Sequence, residues 1–152
     1  MEWQAPAGGG GKVLQVVYGT SSTSTTVAST TYTDCGLSAS ITPTSASSTI
    51  LIFVTQASAV SGNGSDLGVS IRLLRDSTAI HTPLLNQYMY VGARTGNELR
   101  IPNTMVYRDS PATTSSVTYK TQARLTDTVN SMSSTFQKDN AISSLTFLEI
   151  GA

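Results

Sequence analysis

The sequence predicts an all-β protein: an antiparallel β-sandwich of jelly-roll-like architecture behind a short flexible N-terminal arm. Three observations carry this expectation. Apolar residues alternate with Ser, Thr and charged residues along several short runs, which is the period of a half-buried strand. No stretch repeats apolar residues at helical spacing with caps at both ends. Only 12% of the 152 residues are charged, and Ser and Thr fill the gap; branched Thr suits strands and Ser suits turns.

The elements follow in chain order. Met1 to Gly11 reads as an arm, since Gly8 to Gly11 make a flexible joint and Trp3, the one tryptophan, stands ahead of it. Val13 to Tyr18 is β-branched and apolar. Val27 to Thr33 is Thr-rich and reads as a strand. Gly36 is expected to break the chain before Leu37, Ala39 and Ile41, which alternate with hydroxyl residues until Pro43. Ile50 to Thr55 is apolar at nearly every position, which predicts a central strand packed on both faces. Leu67, Val69, Ile71 and Leu73 mark a half-buried strand, and Asp76-Ser77 a tight turn into Thr78 to His81. Gly62 to Asp66 reads as a hairpin loop, and Gly92 and Gly96 bracket another. Tyr88 to Val91 is a short strand candidate. Leu99 to Tyr107 reads as extended, with Pro102 marking an edge or a bulge, and Asp109-Ser110-Pro111 as a turn. Val117 to Leu125 alternates throughout, and Leu145 to Ile150 is the last strand. The expected core is Ile50, Ile52, Val54, Val69, Ile71, Leu73, Val117, Tyr119, Leu145 and Phe147. The expected organisation is an arm over 1–11 and a single sandwich domain over 12–152.

Composition excludes several function classes. Nine basic and nine acidic residues give a formal net charge of zero, and Lys and Arg form no run. The electrostatic footprint for nucleic acid or for an anionic membrane surface is therefore missing. Low self-repulsion permits dense assembly. The single cysteine, Cys35, cannot form an intrachain disulfide. The longest apolar run is strand-sized, far short of a membrane helix, and the N-terminus lacks signal-peptide regions. The expectation is synthesis in the cytoplasm and a later location reached through assembly.

The residues give little support for catalysis. Any Ser-His or Cys-His pair would depend on His81, the only histidine, and Cys35 follows Asp34, whose carboxylate disfavours a thiolate. One Cys and one His are too few for a zinc site. The acids fall mostly at expected strand ends and turns, where capping accounts for them. The reading is no enzyme, no catalytic residue, no metal and no cofactor. Tyr is the commonest aromatic, and its ring with a polar tip suits interfaces. Tyr88 and Tyr90 share a face if they lie on a strand. With Trp3 they are the candidate anchor and interface residues.

Several ordered motifs resemble a family of β-rich virion proteins of phages that infect aquatic bacteria. They are Gly11-Lys12-Val13-Leu14-Gln15-Val16-Val17 after the glycine run, Thr30-Thr31-Tyr32-Thr33-Asp34 with Gly36-Leu37, Ser40-Ile41-Thr42-Pro43, and Ser48-Thr49-Ile50-Leu51-Ile52. Ile71-Arg72-Leu73-Leu74-Arg75, the Asp109 to Thr114 turn, Tyr119-Lys120 and Leu145 to Ile150 continue the series. Members of that family are described as virion structural or tail-fibre-like proteins. The resemblance implies a non-enzymatic module on the virion exterior, made in the host bacterial cytoplasm, and a homo-oligomer, with a trimer favoured. With only a short arm ahead of the domain, the expectation is a capsid decoration or cement protein bound to the major capsid protein. The alternative is a tail-fibre or appendage adhesin contacting a host surface glycan or protein.

Overall fold

The computed structural model describes residues 11–62, 67–83, 89–91, 98–128 and 131–152, with backbone alone at 67 and 89–91. Eleven strands are described: β1 Val13–Ser21, β2 Thr25–Val27, β3 Thr33–Ile41, β4 Thr49–Ser61, β5 Leu67–Arg75, β6 Thr78–His81, β7 Met89–Val91, β8 Glu98–Asp109, β9 Val117–Leu125, β10 Ser133–Phe136 and β11 Ser143–Ile150. A short 3-10 turn lies at Lys138–Asn140. The protein is an all-β antiparallel sandwich.

The larger sheet runs β1-β11-β4-β10-β2, with β8 along the other side of β4. β4 is long enough to pair with β8 over its whole length, while β11 takes the first half of its opposite edge and β10 the second. The smaller sheet runs β3-β9-β5-β6, with β7 also on β5. Both sheets turn one face inward to a common core. All ten expected core residues lie in it, from Ile50 at 0% exposure to Val117 at 5%. Burying each large aliphatic side chain contributes about 1.5–3 kcal/mol. Tyr119 and Phe147 meet across the core with ring centroids 5.2 Å apart. Val27, Leu37, Ile41, Val60, Met105, Leu125 and Phe136 also belong to it.

The sheets nearly close where β1 passes β3. A Cβ on Gly19 would stand 2.5 Å from that of Ala39, so only glycine admits this approach. Gly36 does not break the chain. It sits inside β3 at φ +75°, against Thr25, in the irregularity between Asp34 and Ser38 in the pairing with β9. Cys35 and Leu37, two residues apart, both face the core on either side of it; a left-handed residue there bends the strand rather than ending it.

Other expectations also need correction. The strand read at Val27 to Thr33 is two pieces, β2 ending at Val27 and β3 starting at Thr33; β-branched Thr raises strand propensity without supplying a pairing partner. The strand at Ile50 runs to Ser61, and its Ile50 to Thr55 stretch is buried on one face only, with Phe53 38% exposed. β10 was not expected, because Ser and Thr mask its alternation. The edge reading of Pro102 holds: β8 pairs with β4 alone among the described residues. The expected loops at 63–66 and 92–97 lie outside the described residues, as do residues 1–10 of the expected arm.

Candidate functional site

Trp3 and Tyr88 lie outside the described residues. Tyr90 is in β7 opposite Gly68, with its side chain outside the description. The chemistry-bearing residues are kept apart. Cys35 is fully buried in β3, where burial pushes its thiol far above the ordinary range, out of reach of a thiolate. His81, in β6, stacks on Tyr107 at 4.8 Å. β3 and β6 close opposite ends of the smaller sheet, so no Cys-His pair forms. Among the described residues, no three His, Cys, Asp or Glu side chains gather as a metal site would need.

The acids hold the sandwich together, and turn capping accounts for fewer of them than the sequence reading expected. Asp76 accepts from the Thr118 N–H of β9 at 3.0 Å, across the sheet and not within its own turn. Asp109 is buried instead. It takes both Arg75 Nη1 contacts, at 3.0 and 2.9 Å, and the Tyr119 hydroxyl at 2.7 Å, tying β8 to β5 and β9. Glu149 is wholly buried and accepts from Gln15 Nε2 at 2.6 Å and from the Thr44 N–H and hydroxyl at 2.8 Å. Burial alone would raise its pKa, but the dipoles of Ser48, Gln15 and Thr44 outweigh that and hold it at about 2.

The outward face of the smaller sheet is polar and paired within itself. Asp34, Gln122 and Arg72 form one transverse row. Gln122 donates to Asp34 at 2.7 Å and accepts from Arg72 at 2.6 Å, while Lys120 reaches Asp34 at 3.0 Å. Arg72 and Arg124 lie over the Tyr32 ring, 3.9 and 5.0 Å from its centroid. Burial opposes the Asp34 charge, but Gln122 and Lys120 hold its carboxyl below the usual range.

The outward face of the larger sheet is built differently. The strand register places Arg108, Leu51, Leu148 and Val16 in one row across β8, β4, β11 and β1. The next row is Val106, Phe53, Thr146 and Tyr18, and the third is Thr104, Thr55, Ser144 and Thr20. Arg108 alone is charged among these positions. Tyr18 is 64% exposed, Val16 62% and Val106 57%. Below the third row, Pro102 opposite Ala57 opens a groove of about 230 Å³, floored by Ala57, Ala59, Ile101, Pro102 and Ala141. Its rim is charged: Arg100 pairs with Glu98 and Asp139, and Lys138 with Glu98. An apolar centre with a charged rim is the anatomy of a docking surface.

Sequence reasoning did not single out Val16, Tyr18, Phe53 or Val106. The signal was present in the unbroken apolar run from Ile50 to Val54. That run predicts a strand covered on both faces, whereas its outward Phe53 faces solvent.

No family model matches the sequence, and no curated protein matches it. Solved structures do. A chain in the structure of infectious bursal disease virus Gt strain aligns with 91% of this chain and 40% of its own length, at 10% identity and a TM-score of 0.50. The sandwich is thus a fold also found in a virus structure. The same virus's VP2 subviral particle aligns over 91% of this chain and 39% of its own, at 10% identity and a TM-score of 0.46. This chain spans about two fifths of the length of the structures it matches. At this identity the likeness concerns the fold.

Proposed function

We propose that the chain is a non-enzymatic structural protein on the exterior of a phage virion, acting as a capsid decoration or cement protein that stabilises the head. The observation that carries this reading is the fold, shared over 91% of the chain with a chain of a virus structure. Two further features support it. The larger sheet turns an apolar outward face to solvent, and the charged residues of the smaller sheet are paired with each other rather than poised for a ligand. The phage assignment rests on the sequence motifs.

A cement protein works by bridging neighbouring shell subunits, and many weak contacts add up because binding is multivalent. Its partners on this reading are the major capsid protein and other copies of itself. Trp3 is the anchor of an N-terminal arm over 1–11: a Trp side chain buried against the shell contributes about 3 kcal/mol, against the entropy of ordering the glycines. Gly8 to Gly10 let the domain seat at slightly different angles on quasi-equivalent sites, Gly11 being held to Gly151 by a backbone hydrogen bond. The second reading, a tail-fibre or appendage adhesin for a host surface glycan, is favoured by the tail-fibre-like members of the resembling family.

Electron microscopy of virions labelled with an antibody to this protein separates the two. Label spread over the head is the expected result, and label confined to the tail would replace cement by adhesin. Deleting residues 1–11 is expected to leave a folded domain that decorates particles poorly, with Trp3→Ala reproducing most of the loss.

A further inference from the structure

We infer that the outward face of the larger sheet packs against the same face of a second copy of this chain, giving a two-fold dimer by sheet-on-sheet contact. The size of the face is the first argument. Four strands at about 4.8 Å spacing and three rows at about 6.8 Å make, with side-chain margins, a face of about 400 Å². Two such faces bury about 800 Å², the size of a weak, reversible association. The face is also the kind of surface that sandwiches stack: alternate residues of neighbouring strands project at regular intervals and interdigitate about 10 Å apart.

Charge decides the occupant. Packing this face on the smaller sheet's outward face would bury Asp34, Lys120, Arg72 and Arg124 against Phe53 and Tyr18. Those ions have partners within their own sheet, but desolvating them against an apolar wall costs more than the contact returns. Packing the face on itself buries no charge except Arg108, which lies at a corner of the array and stays on the rim. Like meeting like is an isologous contact, closed by a two-fold axis. A trimer, which the family resemblance implies, needs a second patch complementary to the first, and the charged face does not supply one.

The test uses the full chain in solution and is independent of the particle reading. Sedimentation velocity between about 1 and 100 µM, the range for an interface of this modest size, is expected to show a mass of two chains that dissociates on dilution. Tyr18→Arg on β1 and Val106→Arg on β8 sit on exposed positions at opposite sides of the face. Each counts twice across a two-fold axis and is expected to weaken association at least about 100-fold with an unchanged circular dichroism spectrum. Ser40→Arg, on the smaller sheet, is expected to dimerise as wild type does. Should an Arg variant unfold, Tyr18→Ser and Val106→Thr remove apolar area without adding charge and are expected to weaken the dimer by a smaller factor. A one-chain mass at every concentration, a three-chain mass, or a dimer that survives these substitutions overturns the inference.

Discussion

The two outward faces of the sandwich come from the same kind of strand and end up as opposite surfaces. On the smaller sheet, Asp34, Lys120, Gln122 and Arg72 satisfy one another in a row, and Arg72 and Arg124 cover Tyr32. Such a face is complete in water. On the larger sheet, Val16, Tyr18, Phe53 and Val106 meet solvent with no charged neighbour in their rows except Arg108. A polar, internally paired surface loses by being covered, and an apolar surface gains by it. The difference separates the side of the molecule built to stay wet from the side built to be occupied.

Removing the support common to both faces gives the largest effect. Phe147→Ala deletes a wholly buried ring and is expected to cost about 3–5 kcal/mol in urea unfolding, loosening both sheets alike. Asp109→Ala strands Arg75 and the Tyr119 hydroxyl between the sheets and is expected to cost about 3 kcal/mol, whereas Tyr119→Phe, which keeps the ion pair, should cost about 1 kcal/mol.

Acid sharpens the comparison. Glu149 has a folded pKa of about 2 against an ordinary 4.5, so its contribution is fully present above pH 4.5 and is lost as pH falls toward 2. Thermal melts across this window should show declining stability, and Glu149→Gln should flatten the decline. Because Glu149 joins β11 to Gln15 of β1 and to Thr44 in the β3–β4 connection, the loss falls on that end of the sandwich. Asp34→Asn weakens only a surface row and is expected to cost under about 1 kcal/mol. Val106→Thr is the smallest, within about 0.5 kcal/mol on the isolated chain, although the same residue lies on the face inferred to pair with a second copy.

The strands most legible in the sequence are those whose inner positions are apolar. β9 alternates from Val117 to Leu125 and lies where the pattern puts it, and β11 does nearly as well. Where inner positions are polar, the pattern fails. Gln56 and Ser58 are buried on β4, held through Asn103 and neighbouring carbonyls, so the second half of that strand went unread. β10 was hidden for the same reason, with Ser134 buried. The candidate site was illegible from the other direction. Leu51 and Phe53 are apolar at outward positions, and a periodicity argument cannot tell a strand covered within its own chain from one covered by a partner. Only the register, which lines Phe53 up with Val106 and Tyr18, separates the two.

Tyr18 and Tyr32 report the two faces with the same side chain. Hydroxyl-radical footprinting of the dilute chain against the protein in its assembled state, as dimer or on purified virions, reads both at once. The account predicts that Tyr18, with Phe53 beside it, loses most of its labelling on assembly while Tyr32 keeps its rate. Equal labelling of Tyr18 in both states, or protection of Tyr32 in its place, would contradict the claim that the larger sheet's outward face is the one built to be covered.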